Sequence, residues 1–211
     1  SRLLNKTNNN YKDEASFQKE KLNKYIIFYK VINQGINDVY FLNISMLIPN
    51  KNILKDDVIE RQIIFLLDNI FNNNLGDIDL FNKEKKLYTE TLLNNYKNIG
   101  FIAETNILDI LDKDCIFNKL KYKDLDNISM LELEDVINFY NKYIKNVMPK
   151  IFINGNIDIN KVDEIIYKYI SKYNLKDYNI IKKYDCFYKD NNFIEKVETS
   201  RFYQSVLYVV Y

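Results

Sequence analysis

The chain of 211 residues contains no histidine, and that single absence removes most of the side-chain chemistry an enzyme draws on. Ser-His and Cys-His nucleophile pairs and imidazole-ligated metals all need that ring. Cys115 and Cys186 are its only thiols, and two thiolates do not close a tetrahedral zinc site. In a chain of this size they read as reduced thiols in a reducing compartment, not as a disulfide framework. Asp109, Asp112 and Asp114 lie near one another but lack the glycine and final glutamate of a calcium loop. Gly155-Asn-Ile-Asp158 leads from a strand-like stretch into a helix, a place where phosphate can bind. No further glycines follow, and Asp158 would repel an anion, so Asp158 or Asn160 reads as a helix cap. Lys83-Glu-Lys-Lys86 and Lys119-Leu-Lys-Tyr-Lys123 place cations beside aromatics, as RNA stacking requires. Glu90, Asp124 and Asp126 follow closely, which makes both runs solvated faces.

The balance of 30 basic against 29 acidic residues gives a net charge of +1, with the signs interspersed. A nucleic-acid or anionic-membrane binder needs a basic excess, so neither partner is expected. At 47% hydrophobic and 28% charged the chain can bury a core. Only 4 Gly and 2 Pro favour long regular elements. No apolar run reaches the ~20 residues of a membrane span, and the start lacks a signal peptide's apolar stretch. A soluble cytoplasmic protein is the expectation. The heavy use of Asn, Lys, Ile and Tyr matches AT-rich base bias, so the Asn runs at 8–10 and 72–74 read as loop filler.

The elements follow from periodicity. Ser16 to Lys24 reads as a short helix, Tyr25 to Ile32 as a strand, and Val39 to Ile48 as its antiparallel partner across a loop containing Gly35. Ile59, Ile63, Leu66, Leu67 and Ile70 mark the buried face of a helix whose start carries Asp56 and Asp57. A second long helix is expected from Ile78 to Tyr96 and a shorter one from Ala103 to Leu111. Ser129-Met-Leu-Glu132 reads as a capping box opening a helix that buries Leu133, Val136, Ile137, Tyr140 and Ile144. Lys150 to Asn154 is expected as a strand, followed by a helix with Val162, Ile165, Ile166 and Tyr169 inward. Periodicity fades from Tyr173 to Asn192, and Phe202 to Tyr211 is strand-like and apolar, as if the chain continued. The sum is an α+β fold: a two-layer sandwich of a mostly antiparallel sheet packed on one side by long helices.

The stretch from Ser129 to Ile144, with Pro149-Lys-Ile-Phe-Ile-Asn-Gly-Asn-Ile-Asp-Ile159, resembles the late part of a lobe in the insulinase/pitrilysin family of processing-peptidase-like proteins. Other pieces agree in order. Leu3-Leu-Asn-Lys-Thr7 is similar to the end of the family's first helix, with Lys6 in place of its Gly. Phe81-Asn-Lys-Glu-Lys85 is similar to the opening of its second functional helix. Glu198 to Tyr211 is similar to the opening strand of a second lobe. The resemblance implies that residues 1–192 form most of one lobe, and that 193–211 form a linker and the first strand of another.

Active members of that family hold zinc with two His of a His-x-x-Glu-His helix and a distant Glu. In the matched register that motif would lie upstream of Ser1. The distant Glu lies seven residues after a supporting Glu, and at ~100° per residue the two share a face. Here Glu84 matches the supporting residue and Thr91 stands where the ligand is expected. Glu90 is a carboxylate one residue early, rotated ~100° away, unless the register is shifted by one. The resemblance also implies a peptide-binding edge strand, here Ile26, Ile27, Phe28, Tyr29, Lys30 and Val31, without the family's Gly-rich turn before it. An alternative is that these residues are an ordinary strand of the sheet.

The expectation is therefore a non-catalytic lobe with no catalytic residue and no cofactor of its own. It would support peptide binding and chamber formation with a second lobe or an active homologous subunit. Two alternatives stay open: a zinc endopeptidase whose motif lies upstream, with Glu84 or Glu90 as ligand, and an unrelated α+β interaction domain.

Overall fold

The computed structural model describes residues 1–36, 39–49, 52–54, 58–73, 75–111 and 125–177, together with Val197 and Leu207. Asp56, Asp57, both cysteines, Asp112, Asp114, the Lys119–Lys123 run and the strand expected from Phe202 lie outside the described residues. So does all of 193–211 except Val197 and Leu207.

The fold is α+β, as the periodicities imply. Its elements are α1 (Glu14–Asn23), β1 (Phe28–Ile36), β2 (Val39–Leu47), α2 (Ile59–Phe71), α3 (Ile78–Asn95), α4 (Ile99–Leu111), α5 (Leu125–Met130), α6 (Leu133–Tyr143) and α7 (Ile159–Ile170). A short 3-10 turn at Leu3–Asn5 precedes them. Among the described residues the sheet is the antiparallel pair β1–β2. β1 runs on to Ile36, so Gly35 sits inside the strand and not in the turn. Two compact units emerge. One comprises residues up to Gln34, Phe41–Phe81 and the chain from Glu132; the other contains α3 from Asn82, α4 and α5.

In the first unit Tyr29 and Val31 of β1 point into a core shared with Phe17 of α1, Phe65 of α2 and Tyr140 of α6. The aromatic rings meet edge-on or tilted, with Phe17–Phe65 centroids 5.3 Å apart and Tyr29 5.8 Å from each, the arrangement the ring quadrupole favours. A second core joins Ile63, Leu67 and Phe71 of α2 to Val162, Ile165 and Tyr169 of α7, with Tyr173 stacked on Phe71 at 4.9 Å. The expected inward faces of α6 and α7 are thus observed. α2 goes further than its expected stripe, because it lies between both cores and buries Phe65 and Gln62 as well.

Capping sets the helix starts. Asp13 accepts from the Ser16 amide at 2.7 Å and opens α1, and Asp158 accepts from the Lys161 amide and opens α7. Gly155, just before it, has φ +152°, a backbone region that only glycine enters without strain. The box expected at Ser129 is displaced. Ser129 lies inside the short helix α5, and α6 is opened instead by Glu132 and Asp135, the Glu132 amide donating to Asp135 Oδ2 at 2.9 Å.

Lys150 to Asn154 forms no strand, contrary to expectation. Strand propensity needs a neighbouring edge. Among the described residues the pairing here is the parallel bridge Val147–Lys176, where Met148 donates to Lys176 O at 3.1 Å. Phe152 is left 90% exposed.

In the second unit Lys85 Nζ donates to the carbonyls of Ser129 and Leu131, both at 2.8 Å, so a cation closes the C-terminal end of α5. Asn98 accepts from the Gly100 amide at 2.9 Å and starts α4, beside the edge-on Tyr96–Phe101 pair.

Candidate functional site

α3 carries the residues on which a metal reading turns. Glu84 is buried, at 5% exposed, whereas Glu90 and Thr91 are exposed. The Thr91 hydroxyl donates to the Leu87 carbonyl one turn back at 2.7 Å, the local bond that helical threonines make. Glu84 and Thr91 are therefore not presented alike, and Glu90 is not rotated into Glu84's buried position. No group of three or more His, Cys, Asp or Glu suited to a metal occurs among the described residues. Of the residues the metal reading names, Glu84 is buried, Glu90 is exposed and the Thr91 hydroxyl is engaged with its own helix.

The strand residues named for peptide binding divide in two. Ile26, Tyr29 and Val31 are buried, while Ile27, Phe28 and Lys30 are exposed. Alternation breaks at Ile27 and Phe28, which both face out, and Ile27 donates from its amide to Leu47 O at 2.9 Å. Backbone groups at Val31 are already taken. The Asn5 carboxamide accepts from the Val31 N–H and donates to the Val31 C=O, both at 2.8 Å. A residue's N–H and C=O point to the same side of a strand, so Asn5 occupies Val31 as a neighbouring strand would. A peptide laid along β1 there would have to displace Asn5. The Tyr29 hydroxyl adds a bond to Leu4 O at 3.2 Å, which fixes the same N-terminal turn against the strand.

The asparagine runs hold a polar network. Asn8 Nδ2 donates to Asn69 Oδ1 at 2.7 Å inside the protein, and Asn69 Nδ2 donates to Phe65 O at 2.9 Å. Asn73 Nδ2 donates to Thr7 O at 2.7 Å, and its Oδ1 accepts from the Leu75 amide at 2.9 Å. Nearer solvent, Asn9 pairs with Asn72 at 3.0 Å, and Asn10 donates to Asp68 Oδ2 at 3.0 Å. The Tyr169 hydroxyl donates to the other Asp68 oxygen. Burial, then this contact with Asp68, pushes the Tyr169 hydroxyl well above the ordinary tyrosine range. Asn8–Asn10 are thus not filler: they bind the loop after the first turn to the last two turns of α2. The signal available in the sequence was Asn69, with Gln62 one of two amides amid the apolar residues of α2.

No family model matches the chain, and no curated protein matches it. Among solved structures it is similar to one described as a conserved protein from Enterococcus faecalis V583. The TM-score is 0.62 at 18% identity, over 67% of this chain and 35% of that one. The chain thus spans 35% of the length of that neighbour, and at this identity the likeness is one of fold.

Proposed function

We propose that the chain is a non-catalytic lobe of the insulinase-like type, which supports peptide binding and helps form a chamber with an active partner. That partner is a second lobe of a longer chain or a homologous subunit. The observation that carries the reading is Thr91. It stands where the resemblance puts a metal-binding carboxylate, it is exposed, and its hydroxyl is engaged with its own helix. The α+β fold is compatible with such a lobe, and the similar solved chain is much longer than this one.

Zinc content and cleavage of a quenched peptide, with and without chelator, test it on the full-length protein. The expected result is no stoichiometric zinc and no cleavage alone, with chelator-sensitive cleavage rising when a candidate partner is added. Stoichiometric zinc together with cleavage by the protein alone overturns it. Loss of both in Glu90→Gln would then identify Glu90 as the ligand.

A further inference from the structure

Beside the asparagine loop the first unit contains a cleft of about 540 Å³, within the size range of small-molecule sites. Its apolar lining comes from Leu3, Leu75 and Leu80. Two charges of opposite sign line it as well. Lys12 has no ion-pair partner among the described residues. Asp77 has one carboxylate oxygen accepting from the Leu80 amide at 2.9 Å.

Between polar and apolar parts lies Thr7, 7% exposed, whose hydroxyl makes no hydrogen bond among the described residues. Its neighbours Asn8 and Asn73 are both committed to the loop. Leu75 adds a further mark, a non-glycine residue held at φ +52°, the kind of backbone strain that clusters at binding sites.

We propose that this cleft binds an apolar zwitterion, an α-amino acid or short peptide with aliphatic side chains. Its carboxylate pairs with Lys12, its ammonium with the other oxygen of Asp77, and its body covers Leu3, Leu75 and Leu80, within reach of the Thr7 hydroxyl. The site rests on the cleft's own residues and not on the lobe assignment above.

Calorimetric titration of the intact chain with L-leucine and with the dipeptide of two leucines tests this, beside the same dipeptide N-acetylated or C-amidated. Saturable binding of at least one zwitterion is expected, weakened about tenfold by blocking either terminus and by Lys12→Gln or Asp77→Asn. Asparagine still caps α3, and Lys12 is exposed, so both variants are expected to keep the wild-type melting temperature. Preference for leucine identifies a free amino acid as the ligand, and preference for the dipeptide a peptide. No saturable binding of either probe overturns the proposal. So does equal binding of the blocked dipeptides, or affinity within twofold of wild type in both variants.

Discussion

Replacing Asn5 by Ala removes a single surface-proximal side chain, yet it should act like removing a strand neighbour. Two hydrogen bonds of 2.8 Å are lost at once, one to each backbone group of Val31. A typical intramolecular bond contributes about 0.5–1.5 kcal/mol net, so the pair gives about 1–3 kcal/mol. The upper half of that range applies if water cannot replace the amide, and Val31 is only 2% exposed. Asn5→Asp is informative beside it: the acceptor for the Val31 N–H remains, while a carboxylate oxygen now faces the Val31 carbonyl. It should recover little. Urea unfolding gives the equilibrium loss, and amide hydrogen exchange at Val31 gives the local one. Exchange at Val31 should accelerate more than at Phe65, which lies in the same core. A loss under about 0.5 kcal/mol with unchanged protection at Val31 would refute the strand-mimic argument.

Three further outcomes follow from the same chemistry. Asn69→Ala leaves the buried Asn8 amide without its acceptor and should cost about 1–3 kcal/mol; a double-mutant cycle with Asn8→Ala should show coupling, and strictly additive losses would mean the bond contributes nothing. Thr7→Val removes a hydroxyl that makes no hydrogen bond among the described residues at nearly constant shape, so stability should stay level or rise; a drop above about 1 kcal/mol would contradict that placement. Stability should fall as pH rises past the ordinary tyrosine value of about 10. Burial pushes the Tyr29, Tyr140 and Tyr169 hydroxyls up, and burial with nearby Glu20 pushes Tyr11 up to about 12. The unfolded chain then releases protons that the folded one retains, so a stability curve flat to pH 11 would exclude the effect, and Tyr29→Phe should reduce the slope.

Helices that bury one stripe against one neighbour were legible in the sequence, and α6 and α7 are the clear cases. Val162, Ile165 and Tyr169 recur at helical spacing because one layer alone covers them. α2 was legible in extent but not in depth. It is covered on two sides, so Phe65 and Gln62, off the expected stripe, are as buried as Leu67. Lys150 to Asn154 has the composition of a strand, but β propensity expresses itself only beside another edge. That dependence is non-local and leaves no trace in the five residues themselves.

The candidate site was the least legible part, and the asparagines explain why. Base bias accounts for how many asparagines the chain has, not for where each carboxamide points. An amide is the side chain best suited to bridge backbone to backbone, because it carries a donor and an acceptor in one plane. Asn5 uses both against Val31, and Asn73 uses both to hold Thr7 and Leu75. Composition made these residues look interchangeable, whereas burial makes them individually costly to lose. Asn8 and Asn73 bind the loop that carries Lys12 to the segment that carries Asp77. The placement of those two charges, and hence of the cleft between them, depends on residues whose abundance had argued against any role.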